Sequence, residues 1–215
     1  MKNILTPLIL TFFLISCTSN LQKYEIQNAI EISVSTELEL RGEGSAYNVI
    51  MDDIRDDYNP KHIIDIGKSK LIFQPKGTDA FKESAMDDVT RILITHFEIE
   101  SNTFPKWNFQ LNKQELNEAN EYFEKETTKE LKTLPFENDI IEWSPFKMGN
   151  VNGLSYIKGS YISSTEGDKS YNEMYQFFNK NEKVIIAFST SISNKKKWDG
   201  IFNEMIKTFK FKLRK

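Results

Sequence analysis

The chain contains a single cysteine, Cys17, which closes a short apolar segment beginning just after Lys2. The run from Ile4 to Ile15 is far too short to span a bilayer, and the small residue Ser16 directly before the cysteine suits a processing site. In an exported protein, paired cysteines would predict a disulfide framework. A chain with one cysteine cannot form an internal disulfide, so its own hydrophobic core must hold the fold together.

The four residues Leu14-Ile15-Ser16-Cys17 resemble the lipobox of bacterial lipoprotein signal peptides. The resemblance implies that residues 1–16 are a signal peptide, that cleavage falls before Cys17, and that its thiol receives a diacylglycerol. Two or three acyl chains such as palmitate would then anchor the protein, because each buried methylene contributes roughly 0.8 kcal/mol. The alternatives are a secretory signal with an incidental cysteine and an uncleaved anchor helix.

Removal of residues 1–16 leaves 199 of the 215 residues, a length typical of one domain. We predict a polar tether over residues 17–24 and a single domain over residues 25–215. Because the removed segment contains Lys2 and no acid, 27 basic side chains remain against 31 acidic ones, a formal charge of −4. That charge argues against nucleic acid as a partner. No later stretch is apolar for long enough to be a membrane helix.

Strand patterns alternate with helix patterns along the chain. In the first half, strands are predicted at Ala29–Val34, Ile63–Ile66, Leu71–Phe73 and Val89–Ile99, while Ser45–Tyr58 reads as a helix or a charged loop. In the second half, Leu154–Ile162, Ser170–Phe178 and Val184–Thr190 predict an antiparallel meander. The Asn152-Gly153 turn predicts a fourth strand containing Ile140 to Trp143.

Two helices are predicted from periodicity. The first covers Asn112–Leu134, with Asn112 and Glu115 spaced as a capping box and Pro135 as a stop. The second covers Asn194 to about Thr208, and its apolar residues predict a face that packs on a sheet. These are Trp198, Ile201, Phe202, Met205, Ile206 and Phe209.

The second half of the chain resembles the PsbP-like group in the order of its apolar runs. The matching segments are Asn152-Gly153-Leu154, Tyr156 to Tyr161, Met174 to Phe178, Val184 to Ser189, the Trp198 to Phe209 helix, and Lys210-Phe211. The group includes photosystem II accessory proteins, a Ran-binding nuclear import factor and many bacterial lipoproteins. The resemblance implies an α+β fold, an α/β/α sandwich with helices on both faces of an antiparallel sheet. It implies no catalytic residues, because the group shares none.

Two motifs imitate those of known enzymes. The acidic run Asp52 to Asp57 has the spacing of an aspartate-rich magnesium pyrophosphate motif, but a second motif is missing, and it lacks the glycine and closing glutamate of a calcium loop. Ser155 and Lys158 imitate the first motif of penicillin-recognising serine enzymes, and Ser170 to Asn172 the second. Because Ser155 and Lys158 stand three apart on a predicted strand, they should project from opposite faces, which argues against a hydrolase.

The histidines and glycines carry no recognisable ligand pattern. His62 and His96 have no metal-ligand spacing, and we expect His96 to lie beside Glu98 on a polar face of its strand. Gly42 and Gly44 begin a Gly-x-Gly loop, but Tyr47 stands where dinucleotide binding requires glycine. No metal or cofactor is predicted.

Two features remain open. Lys195, Lys196 and Lys197 lie in the first turn of the second helix, where the macrodipole disfavours positive charge. They meet either solvent or an anionic partner such as a lipid head group or an acidic protein. The other feature is the aromatic content of the meander. Alternation puts Tyr171, Tyr175 and Phe177 on one face and Met174 and Phe178 on the other, so one set should face the helix and the other a second layer or a groove.

These observations favour a lipid-anchored accessory or binding module of the bacterial envelope. The expected location is the outer or the inner membrane, with the domain outside the cytoplasm. The first hypothesis is a non-catalytic protein that docks on an envelope complex through a sheet edge or an aromatic groove. Alternatives are a periplasmic small-molecule or lipid carrier with a deep apolar pocket, and a hydrolase with a scattered active site.

Overall fold

The computed structural model describes residues 21–26, 28–41, 70–77, 90–98, 109–132, 138–165 and 167–212. Within these ranges the chain forms ten strands and two helices. The strands are β1 (Leu21–Ile26), β2 (Ile30–Ser35), β3 (Leu38–Arg41), β4 (Lys70–Pro75), β5 (Arg91–Glu98), β6 (Asn138–Val151), β7 (Leu154–Thr165), β8 (Asp168–Asn179), β9 (Glu182–Ser191) and β10 (Lys210–Phe211), and the helices are α1 (Lys113–Leu131) and α2 (Lys195–Thr208).

The strands form two antiparallel sheets. The large sheet has seven strands in the order β3-β4-β5-β9-β8-β7-β6, and the small sheet has three in the order β1-β2-β10. The predicted meander is confirmed as β7-β8-β9. Asn152 and Gly153 have φ of 52° and 78°, the left-handed values of a tight hairpin turn, and they join β6 to β7 as expected.

The fold begins earlier in the chain than predicted. Leu21 to Tyr24, which the sequence assigned to the tether, belong to β1 and pair with β2 from Leu21 onward. Tyr24 points to the interior, where its ring lies 4.8 Å from that of Phe73 on β4. The polarity of neighbouring residues concealed this strand, because its outer positions are occupied by charged side chains.

One face of the large sheet is covered by α2 and the small sheet. Phe202 of α2 stacks on Phe188 of β9 at 4.3 Å, and Phe209 lies 4.1 Å from Phe177 of β8. The small sheet contributes the buried side chains of Ile30, Ile32 and Val34. The apolar stripe of α2 therefore covers a sheet, as its spacing predicted.

The other face is covered by α1, which packs on β6. This second core is made of Phe109, Phe146, Ile157 and Phe178, with Leu116, Phe123, Trp143, Met148 and Met174 packed against it. Phe177 and Phe178 thus enter different cores, which confirms the two faces predicted for β8. Helices on both faces of an antiparallel sheet confirm the predicted α+β sandwich.

The capping box of α1 is also confirmed. The backbone N–H of Glu115 donates to Asn112 Oδ1 at 3.0 Å, and the backbone N–H of Asn112 donates to Glu115 Oε2 at 2.7 Å. The predicted Pro135 stop, the Ile63–Ile66 strand and the Ser45–Tyr58 segment lie outside the described residues.

The sequence placed His96 on a polar face of β5, but this face is buried. Thr90, Ile92, Ile94 and His96 share the face that packs beneath α2 and the small sheet, and all four are buried. His96 is therefore an interior residue. Ile92 and Ile94, which belong to the main core, share this face with His96 and hold it toward the interior.

Candidate functional site

The terminal strand of the large sheet, β6, is long and irregular. It pairs with β7, and the register shifts twice, between Ile140 and Glu142 and between Ser144 and Lys147. Such bulges leave an incoming strand only short regular stretches for backbone pairing. The register shifts therefore make β6 a poor template for the addition of a further strand.

Helix α1 is fixed against β6 at one of these irregular positions. The backbone N–H of Phe146 donates to Asn120 Oδ1 of α1. The Phe146 ring is buried and lies over Gly159 of β7, where an added Cβ would come within 2.6 Å of the ring. Gly159 therefore makes room for the ring that joins the helix to the sheet.

Five aromatic side chains run in contact along the junction of α1 with β6 and β7, and we call them the aromatic seam. Successive ring centroids are separated by 5.5, 5.0, 6.0 and 5.8 Å. In order along the seam they are Tyr122, Phe123, Phe146, Trp143 and Tyr161. The first three contacts are edge-to-face and the last is stacked, geometries that favour aromatic pairs.

The seam reaches solvent at its α1 end, and β6 carries a second exposed apolar side chain. Tyr122 is 61% exposed and Ile141, at the first bulge of β6, is 51% exposed, more than any other large apolar side chain in the described part of the chain. The indole N–H of Trp143 is buried and finds no acceptor among the described residues. The exposed part of this region is thus apolar and aromatic, and the buried indole N–H lies behind it.

One lysine borders the seam from the sheet. Lys183 of β9 lies with its ammonium 5.7 Å from the Phe123 ring centroid and 5.8 Å from that of Phe178. Burial lowers the pKa of Lys183 below its ordinary value of 10.5. The ring faces partly replace the water that the ammonium loses there.

A polar cluster lies on the opposite face of the sheet, beside the first turn of α2. Tyr171 donates to Glu173 Oε2 at 2.6 Å, and Lys158 Nζ lies 2.9 Å from the same oxygen. The Lys158 ammonium also lies 5.0 Å from the ring centroid of Tyr175. Burial, followed by the influence of Glu173, raises the pKa of both Tyr171 and Tyr175 far above the ordinary value of 10.0. Both phenols stay neutral near pH 7 and bond a carboxylate from their own chain.

The enzyme-like pair Ser155 and Lys158 is not assembled. Both lie on β7, at positions that alternation assigns to opposite faces, and Lys158 is engaged with Glu173 on a neighbouring strand. Ser170 and Tyr171 belong to β8, and Tyr171 bonds the same carboxylate.

His96 lies beside an acidic side chain of the neighbouring strand. Its Nε2 lies 3.4 Å from Glu182 Oε1 of β9, and Asn179 donates to the other carboxylate oxygen at 3.1 Å. Glu98, the neighbour expected from the sequence, is the register partner of Glu182, and the direct pairing of β5 with β9 brings Glu182 to His96 as well.

The lysines at the start of α2 have local contacts. Lys195 forms an ion pair with Asp199 one turn later, and its ammonium lies 4.3 Å from the Tyr171 ring centroid. The Lys197 ammonium lies 4.5 Å from the ring centroid of Trp198. Contacts within the chain thus offset part of the macrodipole penalty, and the alternative of a solvated cluster is favoured over a specific anion site.

The remaining sequence candidates lie outside the described residues. These are Cys17, Gly42, Gly44, Asp52 to Asp57 and His62. Among the described residues, no three His, Cys, Asp or Glu side chains are grouped so that they could hold a metal ion. Neither α1 nor α2 has the length and apolarity of a membrane-spanning helix.

Sequence reasoning missed several residues of this region. Asn120 and Phe146 join α1 to β6, and Tyr122 on α1 and Ile141 on β6 are the most exposed large apolar side chains that the structure describes. On the other face of the sheet, Glu173 centres the polar cluster. The one available signal was Tyr122, an aromatic residue on the otherwise Glu- and Lys-rich outer side of the predicted helix.

Comparison with solved structures identifies the fold. The chain superposes on cyanobacterial PsbP (CyanoP) from Synechocystis sp. PCC 6803 with a TM-score of 0.50 and 11% sequence identity, covering 90% of this chain and 93% of that one. The fold is PsbP-like. At this identity the likeness shows the fold alone, and it agrees with the resemblance seen in the sequence.

Two weaker likenesses carry no inference about this chain. The Ran-binding protein Mog1p of Saccharomyces cerevisiae gives a TM-score of 0.41 at 10% identity, with 90% of this chain and 96% of that chain covered. LpqN of Mycobacterium tuberculosis, described as involved in cell envelope biogenesis, gives 0.41 at 11% identity, with 85% and 83% covered. No protein-family model and no curated protein sequence matches the chain.

Proposed function

We propose that this protein is a lipid-anchored, non-catalytic module of the bacterial envelope that docks on a protein complex through the aromatic seam and the β6 edge. The observation that carries the docking surface is the exposure of Tyr122 at the α1 end of the seam and of Ile141 at a bulge of the terminal strand. Exposed aromatic and aliphatic side chains on a rigid base are typical of protein-interaction sites. The lipobox supports the anchor, and Cys17 is the proposed site of acylation.

The polar cluster around Glu173 holds two strands together, and this structural role supports a non-catalytic function. Glu173 is buried and engaged by Tyr171 and Lys158 of the same chain, which suits the joining of β7 to β8. The seam, by contrast, is supported by packing on one side and open to solvent at its end. Docking through the seam would bury apolar surface that now faces water.

Site-specific cross-linking tests the docking surface. A photoreactive benzoylphenylalanine in place of Tyr122 should give a discrete adduct in intact cells, and the same residue in place of Ile192 should not. Ile192 is a matched control because it is also apolar and exposed, in the turn before α2. Tyr122→Ala should weaken binding of the recovered partner about tenfold or more, since central aromatic anchors contribute about 2 kcal/mol. Identical adducts from both positions would contradict the docking surface.

The anchor is tested separately. Cys17→Ser, or treatment of cells with globomycin, should release the protein from the membrane fraction, because two or three acyl chains are then missing. Unchanged fractionation after either treatment would contradict acylation of Cys17, whatever the cross-linking shows.

A further inference from the structure

The outer face of the small sheet carries three lysines and two glutamates in one ion-pair network. Lys210 Nζ lies 2.6 Å from Glu31, Lys212 Nζ lies 2.6 Å from Glu25, and Lys23 pairs with both acids. The lysines come from β1, β10 and the residue after β10, so the network joins both ends of the fold. Its net charge is positive, whereas the chain from Cys17 onward has a formal charge of −4.

Around the carboxylate of Glu31, the positive groups are the more exposed members of the network. The side chains of Lys23 and Lys210 are 53% and 57% exposed, whereas that of Glu31, which both contact, is only 13% exposed. A third ammonium, on Lys212, pairs with Glu25, and these two side chains are 32% and 40% exposed. An approaching surface would therefore meet ammonium groups before it met the central carboxylate.

The same sheet is tied closely to the proposed lipid anchor. Leu21, the first residue of β1, is only four residues after Cys17. Four residues span at most about 14 Å when fully extended. Because β1 is held by β2 and by the contact of Tyr24 with Phe73, the anchor cannot move far from the small sheet.

From these observations we propose that the outer face of the small sheet faces the bilayer and that Lys23, Lys210 and Lys212 contact the phosphates of anionic lipid head groups. The proposal rests on acylation of Cys17, part of the proposed function. Electrostatic attraction to an anionic bilayer extends over about 10 Å at 0.1 M salt. This distance is similar to the longest span of the segment from Cys17 to Leu21. The negative remainder of the domain is repelled by the same charge, so this orientation is selected. The aromatic seam, on the opposite side of the large sheet, is then turned away from the membrane.

Head-group quenching in vesicles tests this orientation. The full-length protein is purified with its acyl chains, confirmed by mass spectrometry, so that an introduced cysteine carries the only free thiol. Ser33→Cys places a fluorescent label on β2 in the outer face of the small sheet, and Lys125→Cys places it on α1 as the control. Vesicles contain a head-group nitroxide lipid in either phosphatidylcholine alone or a mixture with phosphatidylglycerol.

In phosphatidylglycerol vesicles, the label at residue 33 should be quenched at least about twofold more than the label at 125, and about 1 M salt should remove the difference. Replacing Lys23, Lys210 and Lys212 together by Gln should abolish the difference while acylation keeps the protein on the vesicles. The matched replacement by Arg should retain it.

Equal quenching at the two positions, or quenching at 33 that ignores lipid charge, would overturn the proposed orientation and leave the anchor and the docking surface standing. An unmodified Cys17 would overturn the anchor and the orientation together, whereas failed cross-linking at Tyr122 would affect only the docking surface.

Discussion

At the scale of single residues, Gly159 shows how one position controls a junction between layers. The Phe146 ring occupies the space that a side chain at Gly159 would fill, and the same phenylalanine donates its backbone N–H to Asn120 of α1. Displacing this ring would disturb both the second core and the attachment of the helix. The sequence alone does not reveal this contact of a strand glycine, because the ring comes from the neighbouring strand.

Gly159→Ala should lower the free energy of unfolding by about 1–3 kcal/mol, because the new methyl group overpacks a buried site. The matched control is Gly200→Ala in α2, where an added Cβ has no atom within 4 Å. That control should be neutral or stabilise by up to about 1 kcal/mol, since alanine favours helix over glycine. Chemical denaturation of the two variants checks both expectations, and equal stabilities would contradict the crowding at Gly159.

Glu173 is a residue whose contacts the sequence predicts only in part. Its partners are Tyr171 two residues along the same strand and Lys158 on the strand beside it. The alternation of β8 predicts that Tyr171 and Glu173 share a face, but only the pairing of β7 with β8 brings Lys158 to the carboxylate.

At the scale of elements, α1 has boundaries that its own residues determine. Asn112 and Glu115 satisfy each other's backbone N–H groups without help from another element. The signal is local, so it could be predicted from a spacing of three residues. The position of α1 on β6 is not set by local sequence, because it depends on the contact of Asn120 with Phe146 at the second bulge of β6.

Asn112→Ala should destabilise the protein by about 1 kcal/mol, because it removes the acceptor for the Glu115 N–H. Asn117→Ala is the matched control. It changes an exposed asparagine within the same helix and should be neutral or slightly stabilising, as alanine has the higher helix propensity. Thermal unfolding followed by circular dichroism measures both, and equal losses would show that the box contributes nothing specific.

At the scale of the whole molecule, the small sheet ties the start of the described fold to its end. β1 and β10 flank β2, and Lys212 donates its backbone N–H to Ala29 at 2.7 Å. Ion pairs with Lys212 and Lys210 lower the pKa of Glu25 and of Glu31 below the ordinary value of 4.5, and a pair with Glu31 raises the pKa of Lys23.

This network should make the protein sensitive to acid. Because the two carboxyl pKa values are lower in the folded state, their contribution to stability is complete above the ordinary pKa and is lost as pH falls through the lowered values. The melting temperature should therefore fall between about pH 5 and about pH 3, and added salt should reduce the effect. Glu31→Gln should show a smaller fall over this range than the wild type.

Glu37→Gln is the control for this prediction. Glu37 lies exposed in the turn between β2 and β3, and its substitution should leave the pH dependence as in the wild type. Scanning calorimetry across the pH range checks both variants, and parallel curves for Glu31→Gln and Glu37→Gln would exclude the network as the cause.

By itself the sequence determined the features that depend on neighbours a few residues apart. Both helices, the capping box of α1, the meander, the Asn152-Gly153 turn and the two faces of β8 follow from local periodicity and turn chemistry. Tertiary structure decided what depends on residues far apart in the chain. It placed His96 beside Glu182, drew Leu21 to Tyr24 into a second sheet with β10, and assembled the aromatic seam from three elements. The physical reason is that alternation specifies which face a side chain takes, whereas strand order and register specify what it meets there.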